Sequence, residues 1–518
     1  MIPHLQHLTV ICQNIFGARS SLHGKLAFTF IVSILAIGVG FLNQILISGR
    51  FGTTQSLDSY WAALALLGIL SFYSHPLRDA VTPAFSALLK NKYRASKYAG
   101  SALSLALILG VIGFILIGLM AFIEPVKFYA QTIGIDSAIA EMLFWLAPSL
   151  VFVGASELLI GLMSALNLVK SQAICRIIPT LSTCLFLISM SGQIGIYALP
   201  LAISIAYIGC ILFVLYMLIK NNISIYPGNP MRAITNNNRN MFLSLVFIYS
   251  IAQANVVVER LVFVDFGTGI LSSYQYAVTL VGILIGLISG PLCSVLWPKF
   301  MEMKDDNENI KKILNNLLIF IFIPLCFICI FLYINATSII HIIYSRGVFN
   351  SESALLTSTA FCIVIFTAIP ATIHQIIGRL LNAQNRSRAI LISSLMMAFT
   401  SISILIMGKM IGNYKLAMTH WFFGNFAAAF FSTYFAYKQY FHRQSFYSYN
   451  IFKIPIKILF LFLIAFIFLP IISIQDSKMY TLLNLFIEFI IYAFLFSACI
   501  FYILQGSKKS QTTEGGNL

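Results

Sequence analysis

Runs of about twenty apolar residues, recurring some fourteen times between residues 26 and 504, decide what this chain can fold into. A segment of that length crosses the hydrocarbon of a bilayer as a helix, because a helix satisfies its own backbone where no water can. The sequence is 59% hydrophobic and only 9% charged, whereas a soluble domain is usually near a quarter charged. The expected fold class is therefore all-α and integral to the membrane. The first run, Leu26–Ile47, is too long for a signal-peptide core and is followed by many others, so it reads as an ordinary span. The net charge of +16 marks loops rather than a nucleic-acid partner, because 24 of the 32 Lys and Arg residues fall on one side if the N-terminus is inside. An even span number then puts both termini inside.

A second pattern divides these spans. Pro76-Leu77 and Pro83-Ala84-Phe85 return 215 residues later as Pro291-Leu292 and Pro298-Lys299-Phe300, and Leu166-Asn167 returns as Leu381-Asn382. Phe51-Gly52-Thr53 returns as Phe266-Gly267-Thr268 and, with a slip of one residue, Ser59-Tyr60 returns as Ser273-Tyr274. Two similar halves in one membrane are the usual build of alternating-access transporters. Residues 26–220 form a predicted first lobe of six spans and 241–440 a second. The polar stretch 221–240, with Pro227, Gly228 and Pro230, is the predicted linker. An even number of spans per lobe makes the repeats parallel. Residues 441–505 hold two further spans without a counterpart in the repeat. A polar tail, 506–518, reads as disordered, and the leader 1–25 as an interfacial helix or a disordered segment.

Ionisable groups inside spans are expensive, so each is a functional candidate. Arg78 and Asp79 lie in span two between Pro76 and Pro83, and Glu259 and Arg260 lie in span seven with Asp265 at its end. Neighbours in sequence face different directions on a helix, so neither Arg-carboxylate pair is expected to close on itself. Arg78, flanked by helix-breaking prolines, reads as a cavity cation, with Asp79, Glu259 and Arg260 as further cavity candidates. The alternative for Glu259 and Arg260 is a structural pair. Glu157 and Glu488 are candidates for ion coupling, while His374 and His420 read as interhelical hydrogen-bonders. Pro76, Pro83, Pro291 and Pro298 are the predicted hinges. Cys326-x-x-Cys329 lies among Phe, Ile and Leu without a His or carboxylate cluster, so packing is expected rather than zinc or redox chemistry. The acidic loop around Glu302, Asp305, Asp306 and Glu308 reads as a solvated face. No Walker A loop, Gly-x-Ser-x-Gly or HExxH motif occurs, so catalysis and a metal are not expected.

Gly40-Phe41, Arg50-Phe51-Gly52 with Asp58, Tyr274-Gln275-Tyr276-Ala277, Tyr344–Phe349 and Asn382–Ser387, taken in order, resemble the MviN/MurJ family. These are the lipid II flippases of the multidrug/oligosaccharidyl-lipid/polysaccharide exporter superfamily. The resemblance implies two six-helix lobes around a central cavity, with the last two spans lining a groove for a polyprenyl tail. It implies a bacterial cytoplasmic membrane location, a polyprenyl-diphosphate-linked glycan as cargo, and no cofactor beyond membrane potential or an ion gradient. It also implies cavity arginines meeting the diphosphate. This chain places Ile37, Asn43 and Thr279 at those positions, and Gln44 where an Asp is usual. Asn43 and Thr279 then join the candidate cavity residues, and Arg78 and Arg260 are the cations left to meet the anion. The readings that stay open are a lipid II flippase, a flippase for an exopolysaccharide or O-antigen unit, and a drug or cation antiporter of the same superfamily. Outside transport, a membrane scaffold or glycosyltransferase is the alternative.

Overall fold

Every described apolar run is helical, and no strand occurs among the described residues. The computed structural model describes residues 22–122, 136–226, 228–234, 236–302, 322, 324–383 and 386–440. The final two predicted spans with Glu488, the polar tail, most of the leader and the acidic loop beyond Glu302 lie outside them. The helices are α1 (Leu22–Phe51), α2 (Gln55–Leu70), α3 (Ser74–Leu88), α4 (Lys92–Phe122), α5 (Ser137–Ala165), α6 (Val169–Ile194), α7 (Ala198–Lys220) and α8 (Asn236–Asp265). There follow α9 (Ile270–Glu302), α10 (Pro324–Ile334), α11 (Ala336–Tyr344), α12 (Ser351–Val364), α13 (Ala368–Ala383), α14 (Ser387–Ile411), α15 (Tyr414–Met418) and α16 (His420–Tyr440). By length and composition nine described stretches can cross a membrane, or ten if α10 and α11, bent by 75°, make one span. The all-α integral-membrane class expected from the apolar runs is the one found.

Two compact units are distinguished. One holds the chain up to Ser273 with Arg346–Asn350 and Leu405–Ala417; the other holds Tyr274–Ser345, Ser351–Ile404 and the chain from Met418. In the first unit α5 is the hub, packed by α2, α3, α4 and α7, while α1 packs on α6 and α6 on α7. The reason is visible in α4. Ala95, Ala99, Ala102 and Ala106 recur at helical spacing and are fully buried, and Gly110 and Gly113 extend the same face. In lipid, helices associate through close packing rather than through exclusion from water, and small residues permit it. A Cβ at Gly110 would lie 2.5 Å from the Leu150 carbonyl oxygen, whereas Gly118 faces open space. Ile108, Ile112, Ile115 and Leu119 on the same helix are exposed, as a lipid-facing surface requires. Gly110→Leu is therefore expected to destabilise the fold by about 1–3 kcal/mol. Gly118→Leu should be nearly neutral, and thermal unfolding in detergent micelles checks both.

Predicted span two is two helices. The chain leaves α2 at Leu70, turns through Ser71–Tyr73 and re-enters the helix at Ser74. Pro76 falls in the first turn of α3, where a missing N–H is harmless, while Pro83 lies inside it and removes one helical bond. Pro291 and Pro298 fall within α9, and their side chains lie outside the described set.

The stretch between α7 and α8 is docked on the start of α4. Tyr98 Oη donates to the Ala233 carbonyl at 2.9 Å, and Asn238 Nδ2 reaches the same carbonyl at 3.3 Å. Gly100 is required there, because a Cβ would collide with the Tyr226 carbonyl oxygen. Helix α8 begins at Asn236, earlier than apolarity predicted, with Asn238 anchored by these contacts.

In the second unit α13 packs on α16 and α11 on α12. His420 links Tyr274 Oη (2.9 Å) and Ser401 Oγ (2.7 Å), and His374 meets Ser432 Oγ at 3.3 Å, so both histidines bridge helices. Cys326 and Cys329 are buried in α10, with the Cys329 thiol toward the Ile365 carbonyl at 3.6 Å; they pack.

Candidate functional site

Arg78 on α3 does not stand free. Its Nε donates to Asp79 Oδ1 at 2.9 Å and its Nη1 to Glu157 Oε2 on α5 at 2.7 Å. The expectation that Arg78 and Asp79 would face apart is corrected here: the long arginine stem folds back and its guanidinium spans both carboxylates. Gly161 makes this path available, since a Cβ there would sit 2.5 Å from Arg78 Cγ. Tyr249 of α8 donates to Asp79 Oδ2 at 3.5 Å, and His75 Nδ1 lies 3.4 Å from Glu157 Oε2. The group borders a cavity of about 140 Å³ lined by Ser71, Ser74, Glu157, Tyr207, Tyr249 and Gln253 among others.

Glu259 and Arg260 also close on each other by the same reach, as the structural-pair alternative had it, with Nε 3.4 Å from Glu259 Oε1. The Arg260 side chain is only 12% exposed, yet its Nη1 is buried and has no hydrogen-bond partner among the described residues. Asn255 Oδ1, one helical turn before Glu259, is likewise buried without a partner among them. On α1, Asn43 donates to Thr183 of α6 at 3.3 Å while its Oδ1 and the neighbouring Gln44 Oε1 are buried without partners. Such groups cost about 1–3 kcal/mol each when nothing satisfies them. They are among the described polar atoms with capacity to spare for a ligand. Thr279 gives its hydroxyl to the Gln275 carbonyl of its own helix at 2.8 Å.

A third feature escaped the reading of charges. Asp58, in the first turn of α2, is 3% exposed and accepts from the backbone N–H of Gly269 at 2.6 Å and of Ser272 at 2.7 Å, and from the Ser272 hydroxyl. A carboxylate on the free N–H groups of α9 meets the positive end of its dipole. The repeat that pairs Ser59-Tyr60 with Ser273-Tyr274 pairs Asp58 with Ser272, so the carboxylate contacts its own counterpart. Beside it Val348 N–H donates to the Gly49 carbonyl at 2.9 Å, and Gly347, at φ +60°, comes too close to that carbonyl for any side chain. Lys409 pairs with Asp265 nearby in the same unit. Asp58→Ala should leave two buried N–H groups unmet and weaken this junction by about 2–4 kcal/mol. Faster hydrogen exchange at Gly269–Ser272 is the expected signal, and unchanged protection would refute it.

The model of the lipid II flippase MurJ family matches residues 47–494. The chain belongs to the MurJ family. Among solved structures, a lipid II flippase MurJ in an inward closed conformation aligns at TM-score 0.72 and 17% identity, over 92% of this chain and 99% of that one. An inward-facing multidrug resistance MATE family transporter of the MOP superfamily aligns at 0.63 and 13% identity, over 79% and 97%. A MOP superfamily transporter from Pyrococcus furiosus aligns at 0.58 and 12%, over 82% and 96%. No curated protein sequence matches the chain. At these identities the structural likenesses show the fold; the MurJ family match shows the class, a membrane flippase of lipid-linked precursors.

Proposed function

We propose that the chain moves a polyprenyl-diphosphate-linked glycan of the lipid II type from the inner to the outer leaflet, with both termini inside. The MurJ match over residues 47–494 carries the class. For the anion contact, the observation that carries most is the buried, unpartnered Nη1 of Arg260. The family's other cationic positions are Ile37, Asn43 and Thr279 here, and Arg78 is committed to two carboxylates. Among the described residues Arg260 is then a deep cation with a donor to spare, and Asn43 supplies a polar neighbour for the glycan rather than a charge.

In this reading the Asp58 junction lies at the outer end of the bundle and closes it while the cargo loads from inside. Pro76 and Pro83 with the break at Ser71–Tyr73, and Pro291 and Pro298 in the second repeat, permit the rocking that opens it. Membrane potential assists, since carrying one negative charge outward is worth about 2.3 kcal/mol per 100 mV. The test is leaflet accessibility of the lipid-linked precursor in cells depleted of this protein and of any second flippase. Loss of outer-leaflet exposure is expected. Unchanged exposure would refute the assignment.

A further inference from the structure

The cavity beside Arg78 holds a charge balance that substrate binding does not explain. Arg78 supplies one positive charge against Asp79 and Glu157, so the group carries one net negative charge while His75 is neutral. An uncompensated charge inside a membrane protein is costly unless something neutralises it. His75 Nδ1 is the atom placed to do so. The atom is shielded although the side chain as a whole is 39% exposed; it lies 3.4 Å from Glu157 Oε2 and makes no well-aligned hydrogen bond among the described residues. A proton on the ring would complete an ion pair with Glu157 and bring the group to neutrality.

The surroundings fit a proton. Own-helix neighbours of His75 are Arg78 and Asp79; α5 brings Glu157; α7 brings Tyr207, with Cys210 one turn on; α8 brings Tyr249 and the neutral Gln253. None of these other than the two carboxylates offers an anionic oxygen at ordinary pH. The space of about 140 Å³ admits water, lined as it is by serine, tyrosine and glutamine. Gly68 lines it, and a Cβ there would meet Gln253 Oε1 at 2.7 Å.

We propose that this cavity binds one proton between His75 and Glu157, and that the proton's presence sets how firmly α8 is held to α3. The link is geometric. Tyr249 of α8 stacks at 5.4 Å on the His75 ring and donates to Asp79, so a charge change at His75 is felt by the first helix of the second repeat. The coupling to transport rests on the flippase reading; proton binding does not.

The test uses the full chain with ¹⁵N-labelled histidine in nanodiscs, following ring nitrogen shifts from pH 8 to pH 5. One resonance, absent in His75→Gln, is expected to titrate as a single-proton step. In Glu157→Gln its midpoint should move by about one pH unit, a tenfold change in proton affinity. Glu157→Asp, which keeps the charge and the fold, should move it less. Exchanging potassium for sodium should leave it in place. An identical midpoint in wild type and both Glu157 variants, or no titration at all, overturns the proposal; displacement by sodium overturns it in favour of a metal-cation site. In proteoliposomes with a fluorescent lipid II probe at zero potential, an imposed pH gradient should change the flipping rate several-fold, and His75→Gln should remove that response. A chain that titrates as described but never flips the probe would refute the transport reading and leave the proton site standing.

Discussion

Arg260→Ala is expected to abolish complementation of a flippase-depleted strain, a loss of at least about 100-fold in transport. A charge-assisted hydrogen bond in a dry site is worth about 1.5–3 kcal/mol, and a diphosphate presents several oxygens to one guanidinium. Arg260→Lys keeps the charge but loses the planar fork, so it should retain a fraction of the activity. Flipping of fluorescent lipid II by the purified variants separates binding from expression. Full activity in Arg260→Ala would make the Glu259–Arg260 contact purely structural.

Arg78→Ala should act differently, through folding. It strands Glu157 and Asp79, whose side chains are 23% and 33% exposed, without their shared cation. Breaking such a pair from one side costs about 3 kcal/mol. The double variant Arg78→Ala/Glu157→Ala removes one of the two stranded charges as well and should regain part of the stability relative to Arg78→Ala alone. A coupling energy of at least about 1 kcal/mol in the double-mutant cycle, from denaturant unfolding in micelles, is the expected result. Additive losses would show that the two side chains do not share an interaction. The contrast between the arginines is the substance of this prediction: Arg260 fails in transport, Arg78 in assembly.

Much of the architecture is legible in the sequence. The apolar runs set the helices, and the alanine and glycine spacing in α4 shows afterwards why that helix lies so close to α5. The site was less legible. Arg78, Asp79, Glu157, Glu259 and Arg260 were all marked by their cost in a membrane, but the rule that adjacent residues diverge failed for Arg78 and Asp79, and for Glu259 and Arg260 the alternative of a structural pair held. That rule follows Cβ directions, and an arginine stem is long enough to escape them. Glu157 lies 79 residues from Arg78, and nothing local links them. His75 was passed over because one histidine beside a turn carries no pattern of its own. Asp58 was noticed only as a family landmark, since a carboxylate in a first helical turn usually caps its own helix. Here it serves the start of another.

The Asp58–Ser272 contact carries a consequence about symmetry. In two identical subunits related by a two-fold axis, a position lying on the axis meets its own copy. Two facing carboxylates would repel, and two serines would give up the charged acceptor that now holds the Gly269 and Ser272 amides. An acceptor on one side and a donor on the other is available only to halves whose sequences have diverged. The seam is therefore directional, and a dimer rebuilt from either half alone could not reproduce it, because both sides would then carry the same residue.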